Sequence, residues 1–412
     1  MKHAGSRPPA EAVVCIGEHG VGALAIIRSL GRRGIPVHAV SLRGSPEYAS
    51  SSRYCASRTR IEKRSSLAKV LRQIAAGKAS RPLLYVDNDP LLVALEPHAP
   101  SLRRLYRVVD PIDTARTLTD KWGQLIVAGQ ADIPVPRSWL PSDWTALEGI
   151  AHDGVRLIAK PLGLVRLSCK TIVTTTVGEL AERLRDEGVG PSQVVIQEYI
   201  EGSDDSVYAA VCHRDRHGES RLFTCRKLRQ TPVGAGVMAV GEVIDLPCVA
   251  EMTRRIADRL GLRGVLSTEF KYDARRKRHC FIEWNPRPAG FHSLGLQAGV
   301  DVPYLAYCDL TGAPLACATS PGKRRARWIN MECEVANLAQ RPSLLLSWRT
   351  WDFYVRGKQW AVYAIDDLTP FLCAVRRLAT ALSARIGQRM RRLTSGARLF
   401  ARAKPLLARG ST

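Results

Sequence analysis

Apolar positions recur with two periods along this chain, and their order predicts an α/β architecture. The stretch VVCIGEHGVGALAIIRSLGRRGIPVHAV (13–40) reads as a buried strand, a glycine turn, an apolar helix, a glycine stop and a second strand. LLYVDND (83–89) is a further parallel strand with polar residues at its C-terminal end, and the first domain is expected to close near residue 112. Residues 111–139 predict a helix bearing Asp120 and Lys121, followed by the extended IPVPRSW. VRLIAKPLG (155–163) is a strand that carries Lys160 into a Lys-Pro turn, and VGELAERLRDEG (177–188) is an amphipathic helix ended by Gly188. SQVVIQEYIEGSDDSVYAAVC (192–212) gives strand, polar connection, strand. VAEMTRRIADRLGLRG (249–264) gives a helix with a glycine stop. VLSTEFKYDARRKRHCFIEWNPR (265–287) is a hairpin whose turn is the charged DARRKR.

Length and composition narrow this picture. At 412 residues the chain exceeds what one core supports, so two or three domains are expected. With 45% hydrophobic and 24% charged residues it reads as a soluble globular protein. No run of 18 apolar residues predicts a spanning helix, and the N-terminus has no h-region of a signal peptide. The 11 cysteines form no CxxC pair or Cys–His cluster, and Cys15, Cys212, Cys280, Cys308 and Cys373 lie in apolar runs. A reducing, cytosolic compartment without disulfides or structural zinc follows as the expectation. The net charge of +23 is uneven: residues 368–412 hold nine Arg and one Lys with no acid.

Candidate chemistry concentrates in the hairpin. Alternation puts Glu283, Asn285 and Arg287 on one face of the second strand, with Ile282 and Trp284 on the other. On the partner strand Ser267, Glu269 and Lys271 share a face, and a turn centred near Arg276 sets Glu269 opposite Glu283. Opposed carboxylates repel, and a divalent cation between them removes the conflict. Two carboxylates and an amide oxygen suit Mg²⁺. A solvated strand face of mixed charge accounts for the same alternation. Upstream, Lys121 and Lys160 each sit at a turn beside Asp or Pro, and lysine suits phosphate oxygens. Two lysines and an acidic hairpin together make the basic cradle and metal site that a nucleoside triphosphate requires. The glycines Gly17, Gly20 and Gly22 run G-x-x-G-x-G, not the dinucleotide order, and the next strand ends without an acid for a ribose. They read as a scaffold turn.

Six stretches in order, DKW…IPVP, LIAKPLG, VVIQEYIEGSDDS, RKLRQTP, STEFKYD and FIEWNPRPAG, resemble the ATP-grasp superfamily. The likeness is to its carboxylate–amine ligases and the carbamoyl-phosphate-synthase-like ATP-binding domain. It implies an α/β Rossmann-like pre-ATP-grasp domain at 1–112 and an α+β ATP-grasp domain at 113–317, with lobes 113–195 and 196–317. A C-terminal extension with a basic helix would fill 318–412. The resemblance also implies roles. Lys121 and Lys160 would contact the nucleotide phosphates and adenine edge. Gln197, Glu198, Tyr199 and Ile200 would hold adenine, with Glu198 and nearby backbone reading its amino group. Asp204 would bind the ribose, with Asp205 as its competitor. Glu269, Glu283 and Asn285 would bind Mg²⁺, or Mn²⁺ in its place. Arg287 would face the γ-phosphate or the acyl phosphate, and Lys227, with Arg226, would add positive charge there or be plain strand surface.

The implied activity is ATP-dependent: a small carboxylate is phosphorylated to an acyl phosphate and coupled to an amine, with no nucleophilic side chain required. The alternatives are bicarbonate phosphorylation of the carbamoyl-phosphate-synthase or carboxylase type, and a non-catalytic nucleotide-binding, membrane-associated protein. The phosphate-covering loop LGLVRLSCKT (162–171) departs from the glycine-rich pattern, with Arg166 or Lys170 as substitute charges. From Phe371, apolar residues recur through Val375, Leu378, Leu382 and Ile386 to Phe400 beside many arginines. Such a basic stripe over 371–403 fits either an anionic membrane surface or docking on the protein itself. No nucleic-acid module is evident, and a homodimer is compatible with these expectations.

Overall fold

A computed structural model describes residues 10–18, 20–163, 165, 167–169, 171–315, 326–355, 358–380 and 383. The first sheet is parallel: β1 (Ala12–Ile16), β2 (Val37–Leu42), β3 (Cys55–Ile61), β4 (Leu83–Val86) and β5 (Arg107–Val108), in the order β3-β2-β1-β4-β5. The unbroken apolar runs of β1 and β4 follow from burial on both faces, as all nine of their residues are buried. Strand order reverses between β1 and β4, so the crevice beyond their C-terminal ends is flanked by Gly17–Gly22 and Asp87–Asp89. A Cβ on Gly22 would come within 2.5 Å of the Asp87 Oδ1, so glycine is needed there.

A second, antiparallel sheet comprises β6 (Ser138–Trp139), β7 (Leu157–Pro161), β8 (Ile172–Thr174) and β9 (Val194–Glu198), ordered β6-β9-β7-β8. The amphipathic helix Val177–Asp186 covers it through Val177, Leu180, Ala181 and Leu184. The third sheet has β10 (Val207–Arg214), β11 (Ser220–Thr231), β12 (Val237–Ile244), β13 (Gly264–Asp273), β14 (Arg278–Asn285), β15 (Arg327–Ile329) and β16 (Lys358–Trp360). Their order is β14-β13-β10-β11-β12-β15-β16. Residues beyond 317 therefore extend the same sheet as the hairpin. Helices Lys121–Gln130 and Pro247–Arg259 bury Leu125, Ala128, Val249 and Ile256 against Leu266, Phe270, Phe281 and Trp284.

Two local expectations change. The helix placed over 111–139 breaks at Asp120, whose carboxylate accepts from the backbone N–H of Trp122 and Gly123 as an N-cap. Lys121 thus starts its own helix. In the hairpin, Glu269 pairs with Glu283 as expected, but a bulge follows, and Phe270 pairs with Phe281. The extra residue, Ile282, joins the wall of a cavity instead of packing beside Trp284.

Candidate nucleotide site

Side chains of the second and third sheets line a cavity with about 690 Å³ of empty space, open solvent included. Its walls include Lys121, Lys160, Gln197, Glu198, Tyr199, Ile200, Glu269 and Glu283. Lys160, inside β7, is buried and its Nζ donates to the carbonyl of Ile282 at 3.4 Å. Lys121 leads its helix and donates to the carbonyl of Pro161 at 3.0 Å, which brings the two lysines to one end of the cavity. The Gln197 amide donates to the Ser138 hydroxyl at 3.0 Å, and Ile200 is buried in the wall.

At that end Glu269 and Glu283 stand opposite each other on β13 and β14, with Asn285 opposite Ser267 two pairs further along. Lys227, only 1% exposed, donates to Glu269 Oε2 at 2.6 Å and to Gly236 O at 3.2 Å. Glu269 and Glu283 also line a second, larger cleft of about 1820 Å³. This cleft reaches Asp87, Asn88 and Asp89 at the switch point of the parallel sheet, and Trp328 and Asn330 beside β15. The two hairpin carboxylates are the junction of the two spaces.

Comparison with known proteins follows from this geometry. Residues 191–332 match the family model described as ATP-grasp in the biosynthetic pathway with Ter operon. The chain has the ATP-grasp fold. N5-carboxyaminoimidazole synthetase from Staphylococcus aureus shares it with a TM-score of 0.60 and 14% identity, over 82% of this chain and 88% of that one. A biotin carboxylase from Campylobacter jejuni, solved as a β,γ-ATP complex, gives 0.60 and 15% over 77% and 74%. The L-amino acid ligase from Bacillus licheniformis gives 0.57 and 16% over 74% and 75%. No curated protein matches the sequence.

Within this ATP-grasp frame, several expected site residues are engaged elsewhere. The Glu198 carboxylate is buried and gripped by Arg276, whose Nη2 donates to both its oxygens at 2.9 and 3.0 Å, with Arg137 adding a longer bond. Its carboxylate is therefore committed to an ion pair within the cavity wall. Asp204 is buried behind the cavity wall: its carboxylate accepts from the backbone N–H of Gln230 at 2.9 Å and of Gly234 at 2.8 Å, two residues of that wall, pinning the β11–β12 connection. Asp205 is exposed and accepts from the Ser203 hydroxyl. Neither lines the cavity. Arg287 is held by Asp89 through bonds of 2.7 and 3.1 Å, so its charge is shared with the first sheet before any phosphate arrives. Lys227 is core, not strand surface, and its partner is Glu269. Arg226 points to Glu242 and plays no part in the cavity.

Other residues of the site escaped the motif reading. Lys271 lines the cavity two positions after Glu269, and burial pushes its ammonium down to about 8 against the pull of Glu201 and Asp204. The shared polar face of β13 was its signal. Asp87 is pushed up to about 6 by burial, opposed by Arg287 and by the N–H groups of Gly17, Ala23 and Gly20. The substitute charges expected in the phosphate loop, Arg166 and Lys170, lie outside the described residues.

The donor set can be tested against an oxygen-preferring cation. Two opposed carboxylates and the Asn285 amide oxygen are hard donors, and the Lys227 ammonium already supplies positive charge at one of them. These residues fit Mg²⁺. Among the described residues no group of three or more His, Cys, Asp or Glu could hold a metal ion, so the donor set here is two carboxylates and an amide.

Proposed function

We propose that this chain is an ATP- and Mg²⁺-dependent ligase that activates an organic carboxylate as its acyl phosphate and couples it to an amine. The observation that carries this reading is the position of Glu269 and Glu283, which line both the nucleotide cavity and the larger cleft. A γ-phosphate held beside them meets an acceptor that enters from the other side. Lys121 and Lys160 would hold phosphate oxygens, and Glu269, Glu283 and Asn285 would hold Mg²⁺, or Mn²⁺, which would offset charge on the transferring group. A carboxylate oxygen of the acceptor attacks the γ-phosphorus and ADP leaves. The amine nitrogen then attacks the acyl carbon, phosphate departs, and the nitrogen loses its proton. Arg287, braced by Asp89, borders the cleft where that acyl phosphate would form.

The cleft's extent, from Asp87 and Asp89 to Trp328 and Asn330, favours an organic acid and amine over bicarbonate. The test is phosphate release from ATP across a panel of carboxylic acids and amines, with and without Mg²⁺. Release stimulated by an acid and an amine together supports ligation. Release with bicarbonate alone supports the carboxylase-type alternative, and ATP binding with no stimulated release supports a binding protein.

We also propose the division into residues 1–112, 113–317 and 318–412, which limited proteolysis would test, and a cytoplasmic location with peripheral contact to anionic lipid. No helix among the described residues is long and apolar enough to cross a membrane. In the described part of the tail, Phe371, Ala374 and Leu378 line an apolar groove with Met331 and Trp360, so that face is docked. Lipid contact would use the exposed Leu372 together with Trp348, Trp351 and Val355. Leu382, Ile386 and the remaining stripe to residue 403 lie outside the described residues. Flotation with anionic and neutral vesicles separates lipid binding from a homodimer seen by light scattering.

A further inference from the structure

Among the described residues Lys271 is a cavity lysine that donates to no carbonyl or carboxylate, whereas Lys121 and Lys160 donate to the carbonyls of Pro161 and Ile282. Lys271 is 5% exposed, and its Nζ has only the Tyr199 hydroxyl at 3.5 Å and the Tyr199 ring at 4.5 Å from its centroid. An ammonium carries three donors, and burying it without acceptors is costly. The side chain lines the cavity, so a ligand there is the acceptor still to come.

Its place along β13 says which part of a nucleotide that would be. Glu269 and Lys271 project from the same strand face, two residues and roughly 6.5–7 Å apart. Glu269 marks the phosphate end with Glu283. Lys271 stands at the other side, beside Tyr199 and Ile200, where Ile158, Val207 and Ile282 supply apolar walls suited to a flat ring. Neither Glu198 nor Asp204 offers a free carboxylate at that end.

We propose that Lys271 recognises the base of the nucleotide, donating to a ring nitrogen or carbonyl oxygen while Tyr199 holds the ammonium in place. An ammonium only donates, so it selects an acceptor edge and disfavours an exocyclic amino group at the same point. This assignment rests on the nucleotide reading of the cavity.

The experiment measures binding of ATP, adenosine and tripolyphosphate to the full chain and to Lys271→Met by calorimetry. ATP and adenosine should both weaken by about tenfold or more, with tripolyphosphate unchanged, because one charged hydrogen bond is lost at the base. Lys271→Gln, which keeps a donor without the charge, should fall between the two and serves if Lys271→Met does not fold. Weakening of ATP and tripolyphosphate with adenosine unaffected would place Lys271 at the phosphates and overturn the assignment. Unchanged or improved binding of all three would overturn it as well. A wild-type chain that binds none of the three would sink the nucleotide reading itself.

Discussion

Lys227 reaches 2.6 Å from Glu269, the carboxylate that faces Glu283 across the β13–β14 ladder. A fixed ammonium therefore balances one of two opposed acids in a site whose donors suit a divalent cation. The ammonium offsets the repulsion between the two carboxylates, and any cation they held would share Glu269 with it.

Replacing that lysine tests the balance. Lys227→Met removes the ammonium that Glu269 holds at 2.6 Å, and breaking a buried pair in this way costs about 3 kcal/mol. Thermal unfolding should show a lower melting temperature in chelator and a larger recovery on adding Mg²⁺ than the wild-type chain shows. Equal Mg²⁺ responses in both proteins would contradict the arrangement.

The C-terminal segment is clasped to the first sheet by a buried charge pair. Asp367, 2% exposed, accepts from Arg28 Nε at 2.9 Å, from the Ser52 hydroxyl at 2.7 Å and from the backbone N–H of Arg53 at 2.9 Å. Asp367→Ala strands the Arg28 charge and should destabilise the chain by about 3–5 kcal/mol. Denaturant unfolding measures this, and a loss under about 1 kcal/mol, the value of an exposed pair, would refute the burial argument.

Stability should also depend on pH through Asp110. Burial pushes this carboxyl up to about 8, with only the N–H of Val86 and the charge of Arg287 opposing it, and its Oδ1 has no partner. Its folded-state value lies above the ordinary one, so the folded chain holds the proton more tightly. The contribution is full at low pH and is lost as pH rises from about 4 towards about 8. Asp110→Asn removes the buried charge, so its stability relative to wild type should climb across that window and level off above it. A difference that stays flat between pH 5 and pH 9 would show that Asp110 does not titrate there.

How much of this could be read from the residues follows their reach along the chain. β1 and β4 were legible because a doubly covered parallel strand must be apolar throughout, and the pairing of Glu269 with Glu283 because both lie within one hairpin. Lys121, Lys160 and the carboxylates could be named individually because each sits in a short local pattern. The side-chain partners of Glu198, Asp204 and Arg287 were not legible. Their partners, Arg276, Gln230 with Gly234, and Asp89, come from elements 78, 26 with 30, and 198 residues away. The bulge that swings Ile282 into the cavity leaves no mark on alternation, because an inserted residue looks like any other apolar one.

The central claim is that Glu283 stands where nucleotide and acceptor meet. Its direct test is phosphate release from ATP by the wild-type chain and by Glu283→Gln, in Mg²⁺, with each acid and amine that stimulates the wild type. The account predicts that the variant folds, still binds adenosine and loses stimulated release by roughly 100-fold or more. Stimulated release within a few-fold of wild type would contradict it.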